Sequence, residues 1–255
     1  MEPLKDKFPH YIEFRHVYKT FDAPVLVDCS FYVEPGETLA IIGRSGVGKS
    51  VSLQHIMGFL KPDQGQVIVA HRDITFMTEP ELELIRRKVT MVFQNGALFD
   101  SLTVGENILF SLELRDDYDE SNKMQVVRGL LEMVDLGEYE DAYPADLSTG
   151  YRRAVAIARA LAAQPECILY DEPTTMVDPI MSAQMAALML RLKNQLKLTS
   201  VVVTHDLDLM QRVADHVVFL YEGSVIYFGP VDQMFQCDHP HVKEFLAMDR
   251  VDFSA

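Results

Sequence analysis

The sequence predicts an α/β fold in which a mostly parallel sheet is covered by helices. Strand patterns alternate with helical patterns along most of the 255 residues, which is the arrangement of α/β domains. Three runs, 39–42, 166–170 and 200–203, are largely apolar, as expected of strands buried on both faces of a parallel sheet. Residues 95–165 are mainly helical and polar, so we expect them to form a helical insertion.

A phosphate-binding turn is predicted between residues 43 and 50. The strand at 39–42 ends at Gly43, and a helical pattern begins near Gly48 and continues to Leu60, where Lys61-Pro62 ends it. The turn fits the motif G-x-x-x-x-G-K-[ST] in the strand, turn and helix context that this motif requires. Its fixed positions are Gly43, Gly48, Lys49 and Ser50.

Each fixed position of this turn has a chemical reason. Glycine lets the backbone direct successive N–H groups at phosphate oxygens, and the N-terminus of the following helix adds partial positive charge. We expect Lys49 to reach the β- and γ-phosphates and Ser50 to ligate Mg²⁺. The predicted nucleotide-binding segment also includes Arg44, Ser45, Gly46, Val47 and Val51.

Polar residues follow the other two apolar strands. Asp171 and Glu172 come directly after 166–170, and His205 follows 200–203. Because parallel sheets bind ligands at the carboxyl ends of their strands, we expect Asp171 to hold the Mg²⁺, Glu172 to polarise an attacking water and His205 to contact phosphate. The alternatives are an acidic strand end without a ligand and a structural histidine.

Phe21 is a candidate for binding a base. It stands just before Asp22-Ala23-Pro24, which separates predicted strands at 11–18 and 25–33. An aromatic ring in this position either stacks on an adenine or packs in the core of a small sheet, and the sequence is compatible with both.

The composition restricts the partners and the compartment. A net charge of −15 and a pI near 4.9 disfavour direct binding to nucleic acid. The three cysteines are far apart and lack metal-type spacing, so we expect no disulfide framework and a reducing cytoplasm. No apolar run approaches the length of a membrane span, and the N-terminus lacks a signal-peptide core. Any membrane role is therefore expected to be peripheral and to act through partners.

Together these residues resemble the ATPase subunit of an ATP-binding cassette (ABC) transporter over nearly the whole chain. Five segments occur in the family's order: residues 43–50, Gln94, 147–151 (LSTGY), 169–174 (LYDEPT) and His205. The resemblance implies a P-loop NTPase fold of the ABC ATPase type, with a mostly parallel core sheet, an antiparallel β subdomain and an inserted α-helical subdomain. The single domain of residues 1–255 would comprise the nucleotide-binding core at 1–94 and 166–230, the helical subdomain at 95–165 and a C-terminal tail at 231–255.

The resemblance also implies sites that are completed by a second chain. In this family two subunits enclose two ATP molecules head to tail, so a homodimer is expected. A helix that begins near Ser148, its predicted N-cap, would face the partner's ATP. The implied ATP-binding residues beyond the phosphate loop are Phe21, Gln94, Ser148, Thr149, Gly150 and Asp178. The implied Mg²⁺ ligands are Ser50, Gln94 and Asp171, and the implied catalytic residues are Lys49, Gln94, Glu172 and His205.

Two departures from the family pattern bear on the rate of hydrolysis. Thr149 stands where the family usually has glycine, and a β-branched side chain obstructs close approach of the backbone to the γ-phosphate. Met176-Val177-Asp178 stands where Gly-Leu-Asp is common. We therefore expect slow but real turnover.

A narrower resemblance concerns the partner. Residues 93–99 (FQNGALF) and 169–175 (LYDEPTT) look like those of cassettes that serve MCE-domain lipid (phospholipid) transporters of the bacterial envelope. The resemblance implies an integral-membrane permease bound through the region after Gln94, with Leu98 and Phe99 as apolar contacts, and an MCE-domain protein as an indirect partner. The ATPase would lie in the cytoplasm on the inner face of the cell membrane, and direct contact with the lipid cargo would not be required.

Two alternatives are open at this stage. A cassette of the same family could drive another cargo, such as an amino acid or a lipoprotein. A soluble cassette protein could use ATP as a conformational switch on a ribosome or on DNA. Such proteins usually carry two cassettes or long coiled-coil insertions, whereas this chain has one cassette and no heptads.

Overall fold

The computed structural model describes residues 7–115 and 119–251, and the chain divides into two compact units. The first unit comprises Met1–Arg86 and Thr199–Ala255, and the second comprises Arg87–Leu198. Among the helices of the described ranges, none has the length and apolar character that crossing a membrane requires.

An antiparallel sheet is formed by strands from the N-terminal part of the first unit. These strands are β1 (Ile12–Thr20), β2 (Pro24–Val33), β4 (Gln64–Val69) and β5 (Arg72–Asp73). They pair in the order β2-β1-β4-β5. Leu26, Cys29, Phe31 and Val33 of β2 are buried while their neighbours are accessible, as expected of a sheet with one face on a core. The predicted strands at 11–18 and 25–33 are confirmed, with ends shifted by one or two residues.

The strand that precedes the phosphate loop has a parallel strand on each side. This strand, β3 (Thr38–Ile42), is buried at every residue. It lies between β8 (Thr199–Val203) and β9 (His216–Tyr221), both parallel to it. A further strand, β10 (Ser224–Pro230), pairs with β9 in the antiparallel sense. Burial on both faces explains the apolar runs in the sequence.

Helices complete the first unit. Its described residues contain α1 (Lys49–Ile56), α2 (Glu79–Arg86), α7 (Leu207–Val213), α8 (Val231–Met234) and α9 (Pro240–Val251). The predicted continuation of α1 to Leu60 is wrong. Gly58 is left-handed at φ 67°, and its N–H donates to the His55 carbonyl while that of Phe59 donates to the Gln54 carbonyl. These two bonds satisfy the last carbonyls and end the helix.

The second unit contains the predicted helical insertion. The parallel strands β6 (Val89–Val92) and β7 (Cys167–Asp171) flank it in sequence. The helices are α3 (Val104–Glu113), α4 (Lys123–Met133), α5 (Thr149–Ala162) and α6 (Pro179–Leu196). Side chains cap three of them: Thr103 caps α3, Ser148 caps α5 and Asp178 caps α6, each by accepting bonds from N–H groups of the first turn.

The predicted subdomain limits, 1–94, 95–165, 166–230 and 231–255, remain a prediction. Parts of these segments, namely residues 1–6, 116–118 and 252–255, lie outside the described residues. The C-terminal tail contains α8 and α9, and Pro240 is the first residue of α9.

Candidate active site

The loop between β3 and α1 has the geometry of a phosphate cradle. Gly43, Gly46 and Gly48 have φ of 147°, 80° and 103°, which residues with a Cβ adopt only with strain. A Cβ on Gly43 would stand 2.4 Å from the Leu220 carbonyl oxygen, whereas one on Gly46 would meet no atom within 4 Å. The base of the loop is therefore packed and its tip is open. Gly48 is the N-cap of α1 and provides no side-chain cap, so the helix N-terminus suits an anion.

Lys49 stabilises the curvature of this loop from inside. Its side chain is buried, and Nζ donates to the carbonyl oxygens of Gly43 at 2.8 Å and Arg44 at 3.1 Å. The side chain of Arg44 lies on the surface, where it forms an ion pair with Glu244 of α9 at 2.7 Å. The accessible residues of the loop include Arg44, Ser45, Gly46 and Ser50, while Val47 and Val51 are half-buried. Triphosphate oxygens fit a loop that presents glycine N–H groups, a lysine and a hydroxyl.

His205 lies at the same edge of the first unit as the loop. Ile41 of β3 is in register with Val203 of the parallel strand β8, and the Thr204 N–H donates to the Ile41 carbonyl at 3.2 Å. His205 is the next residue and is exposed. Asp206 then caps α7 by accepting a bond from Leu209 N–H at 2.9 Å. Because β3 and β8 are parallel neighbours, their carboxyl ends bring His205 and the loop to one edge.

Phe21 lies in the turn between β1 and β2 and is 53% exposed. The ammonium of Lys19 is 5.6 Å from the centre of its ring. A ring with this exposure is not packed in the core of the sheet, so that alternative is excluded for Phe21. Its predicted stacking on an adenine stays a prediction.

Gln94 and Asp171 lie at one edge of the second unit. Val92 of β6 is in register with Tyr170 of β7, so the residues that follow these parallel strands are neighbours. Both line a cavity of about 680 Å³, together with Thr149, Arg153 and Met176. The described ranges contain no cluster of three His, Cys, Asp or Glu that could hold an ion. A carboxylate and an amide oxygen, completed by phosphate oxygens, form the kind of donor set that Mg²⁺ prefers.

Glu172 has an unusual backbone conformation for a residue with a side chain. Its φ is 49°, and a left-handed residue other than glycine costs about 1–2 kcal/mol. Thr175 makes two hydrogen bonds to Glu172. Its hydroxyl donates to Oε2 of Glu172 at 3.2 Å, and its N–H donates to the Glu172 carbonyl at 3.4 Å. Strain of this kind is concentrated at functional sites. Met176 is also left-handed, at φ 60°, a conformation that glycine adopts without strain.

The segment 147–151 begins α5 as predicted. Ser148 is the N-cap, and its Oγ accepts a bond from Tyr151 N–H at 3.2 Å. A Cβ on Gly150 would stand 2.2 Å from Cε of Met181 in α6, which is the end of a flexible side chain. Asp178, predicted to bind ATP, uses Oδ1 to cap α6 by accepting bonds from Ile180 N–H and Met181 N–H, each at 3.0 Å.

Thr149 is the first residue of α5 and is exposed. Helical backbone at this position needs no glycine, so only the size of the side chain can obstruct a phosphate.

We therefore expect Thr149→Gly to raise the rate of ATP hydrolysis by about two- to threefold, which corresponds to an activation barrier lower by roughly half a kcal/mol. Steady-state phosphate release measures it, and an unchanged or lower rate would show that the threonine is accommodated.

Arg153 of α5 is a buried residue that the sequence analysis did not include in the site. Only 5% of its surface is exposed. The sequence does indicate that Arg153 faces the core, because it stands four residues before the buried Ile157 and therefore lies on the same helix face. Burial lowers the pKa of its guanidinium, and the Glu172 carboxylate acts in the opposite direction.

Two polar side chains hold the loop that follows Gln94. The guanidinium of Arg159 donates to the carbonyl oxygens of Ala97 at 2.8 Å and Gly96 at 3.0 Å. Asn107 is fully buried and bonds both backbone groups of Phe99. Its amide also donates to the carbonyls of Leu102 and Thr103. The predicted permease contacts are accessible on this loop: Leu98 is half-buried, and Phe99 is 44% exposed with its ring 4.9 Å from that of Phe110.

We expect Asn107→Ala to lower the free energy of unfolding by about 3 kcal/mol, because it leaves buried backbone groups without partners. Denaturant unfolding of the purified protein measures the loss. The matched control is Asn122→Ala, since Asn122 is an exposed asparagine that makes no cap bond at the start of α4. Equal stability of the two variants would contradict the structural role of Asn107.

Comparisons with known proteins identify the family of this chain. A family model described as "ABC transporter" matches residues 26–175. The methionine import ATP-binding protein MetN 2 of Pseudomonas entomophila is 36% identical over 244 residues, which cover 93% of this chain and 73% of that protein. MetN of Brucella abortus is 37% identical over 225 residues, covering 88% and 61%.

Solved structures show the same fold. The dimeric post-hydrolysis structure of the ATP-binding cassette MJ0796 bound to ADP and Pi has a TM-score of 0.78 and 30% identity, covering 86% of this chain and 98% of that one. The structure of cbiO1 from Clostridium perfringens, part of the ABC transporter complex cbiONQ, has a TM-score of 0.83 and 26% identity, covering 95% and 97%.

These findings contradict the expectation of an MCE-type lipid transporter. The relatives named above, which match along most of the chain, are methionine import ATP-binding proteins. The narrower resemblance depended on residues 93–99 and 169–175, and contacts within the second unit fix both segments. Both segments are short beside alignments that cover 93% and 88% of this chain, so the longer matches carry more weight. The phosphate loop, the ordered motifs, the fold and the match over residues 26–175 together establish that this chain belongs to the ABC transporter family and is an ATPase of that family.

Proposed function

We propose that this chain is the ATP-hydrolysing subunit of an ABC importer whose cargo is an amino acid of the methionine class. The observation that carries the proposal is the alignment of 93% of this chain with a methionine import ATP-binding protein. An amino-acid cargo is also one of the alternatives that the sequence leaves open.

The proposed chemistry assigns separate roles to the residues of each unit. In the first unit, loop N–H groups and Lys49 bind phosphates, His205 contacts the γ-phosphate and Phe21 stacks on the adenine. In the second unit, Glu172 orients and polarises the attacking water. Ser50, Gln94 and Asp171 would hold the Mg²⁺, which would neutralise charge on the phosphates.

A homodimer is part of the proposal. The solved MJ0796 cassette is described as dimeric with ADP and Pi bound. Two copies of this chain would each offer the N-terminus of α5, with Ser148, Thr149 and Gly150, to the ATP of the other copy. A helix N-terminus with a nearby hydroxyl is a suitable ligand for a γ-phosphate. Asp178 would lie in the segment that joins the two sites.

The partner in the membrane is proposed to be a permease. Leu98 and Phe99 present accessible apolar surface on a loop that Arg159 and Asn107 hold in place. A rigid loop with exposed aromatic groups is suited to receive a helix of another subunit. The chain would then lie on the cytoplasmic face of the inner membrane.

Two linked measurements test this function. The tagged chain is extracted from native membranes in mild detergent and its partners are identified. In parallel, uptake of labelled methionine is measured in a strain that lacks the gene and is complemented with wild type or with Glu172→Gln. We expect a polytopic permease, a substrate-binding protein and uptake restored only by wild type. Unchanged uptake in the deletion strain would refute the cargo, and recovery only from the soluble fraction would refute the transport role.

A further inference from the structure

A buried arginine of α5 joins three separate points of the backbone in the second unit. The guanidinium of Arg153 donates from Nε to the Gln94 carbonyl at 3.2 Å and from Nη1 to the Pro173 carbonyl at 2.7 Å. Its Nη2 donates to the Thr175 carbonyl. A rigid planar fork of donors can satisfy acceptors in these fixed directions, which a flexible ammonium cannot reproduce.

The three carbonyls belong to residues beside the groups with proposed chemistry. Gln94 itself is a proposed Mg²⁺ ligand, and Pro173 directly follows Glu172. Thr175, whose carbonyl Arg153 binds, donates its hydroxyl to Oε2 of Glu172 at 3.2 Å. Hydrogen bonds therefore link Arg153 to Thr175 and Thr175 to the Glu172 carboxylate.

The backbone of Glu172 needs such support. Its left-handed conformation, φ 49°, is unfavourable for a residue with a Cβ and persists only where the surroundings determine it. Bonds to the carbonyls of residues 173 and 175 restrain the chain just after this point. Burying a guanidinium is costly, and the lowered pKa of Arg153 reflects that cost, so these bonds compensate for its desolvation.

We propose that Arg153 is a positioning residue for ATP hydrolysis, which fixes Glu172, through Thr175 and Pro173, relative to Gln94. The inference rests on the proposed roles of Glu172 and Gln94. Arg153 also belongs to α5, whose first residues are proposed to face the partner's ATP. It thereby connects the start of that helix with the hydrolytic carboxylate of its own chain.

The first test compares Arg153→Lys with Arg191→Lys in the full-length protein. Arg191 is a matched control, because its Nη2 donates to the Met133 carbonyl at 2.7 Å in the same unit and it contacts none of the proposed ATP-site residues in the described contacts. We expect Arg153→Lys to lower kcat by about tenfold or more and to keep KM for ATP within about twofold. Arg191→Lys should change neither constant.

A double-mutant cycle tests the route through Thr175. Thr175→Val keeps the shape of the side chain and removes the hydroxyl, so kcat should fall by about three- to tenfold. Thr175→Ser retains a hydroxyl and should have a kcat close to that of the wild type. If Arg153 acts through this hydroxyl, Arg153→Lys combined with Thr175→Val should be little worse than Arg153→Lys alone. Multiplying effects would contradict the proposed route.

Amide hydrogen exchange gives a readout that needs no nucleotide. The N–H groups of Thr175 and Val177 donate to the carbonyls of Glu172 and Thr174. We expect them to exchange at least about tenfold faster in Arg153→Lys, because the restraint on this segment is lost, and at the wild-type rate in Arg191→Lys. Unchanged exchange in Arg153→Lys would overturn the positioning role.

Glu172→Gln, measured alongside, separates this inference from the proposed function. Wild-type turnover in Glu172→Gln would refute the catalytic assignment of Glu172. If Glu172→Gln is inactive while Arg153→Lys has wild-type kcat and exchange, only the positioning role fails. A similar loss of kcat in Arg191→Lys would show a general effect of arginine removal and would also overturn it.

Discussion

Glu172→Gln should abolish ATP hydrolysis while the protein still binds ATP and dimerises in its presence. Glutamine has nearly the same shape, and its amide oxygen can still accept the bond that Thr175 Oγ1 makes to Glu172 Oε2. The backbone at φ 49° should therefore be kept, and only the basic carboxylate is lost. Loss of a general base typically lowers a rate by about 10² to 10⁴-fold.

Phosphate release measures turnover of this variant, and size-exclusion chromatography with and without ATP measures dimerisation. The control is Glu166→Gln, since Glu166 is an exposed carboxylate paired with Lys88 at 2.7 Å and surface pairs of this kind contribute little. Glu166→Gln should have wild-type turnover. If Glu172→Gln also turns over at the wild-type rate, Glu172 is not the catalytic carboxylate.

Lys49→Met should weaken ATP binding by at least about a hundredfold. Two effects act together: the charge that pairs with phosphate is removed, and the loop loses the bonds from Nζ to the carbonyls of Gly43 and Arg44. Hydrogen bonds to charged groups are worth about 1.5–3 kcal/mol each, and each 1.4 kcal/mol changes the affinity by about tenfold. Methionine keeps most of the volume of the buried chain, so the unit should still fold.

Titration calorimetry with ATP and Mg²⁺ measures the affinity of Lys49→Met, and circular dichroism confirms the fold. Lys88→Met is the control, because the side chain of Lys88 lies on the surface in an ion pair with Glu166. It should bind ATP as the wild type does. Unaltered affinity in Lys49→Met would mean that the loop at 43–50 is not the phosphate-binding element.

Local patterns predicted most of the secondary structure correctly. The strand before the phosphate loop, the helix after it and the Ser148 cap of α5 each depend on residues within a few positions of one another. Glycine spacing, capping hydroxyls and runs of apolar residues act over this distance. The end of α1 was missed because Gly58 was not interpreted as a left-handed terminator, although the residue type indicates it.

The cargo is the part of the prediction that was wrong. Seven-residue segments around Gln94 and Asp171 suggested a lipid system, but relatives that match along most of the chain include methionine import ATP-binding proteins. Those segments are held by Arg159, Asn107 and Thr175 within the second unit. The methionine import relatives align with 93% and 88% of this chain, so the short matches do not identify the cargo.

By itself the sequence determined the class of this protein, because the phosphate loop and the ordered motifs are chemical patterns that need no long-range contact to be recognised. Only the tertiary structure decided which carbonyls the buried Arg153 bonds and that Glu172 is held in a left-handed conformation. The bonds from Arg153 reach residues 59 and 20 positions away in the chain, Gln94 and Pro173. Such contacts are made when the strands and α5 pack together, and no local pattern encodes them.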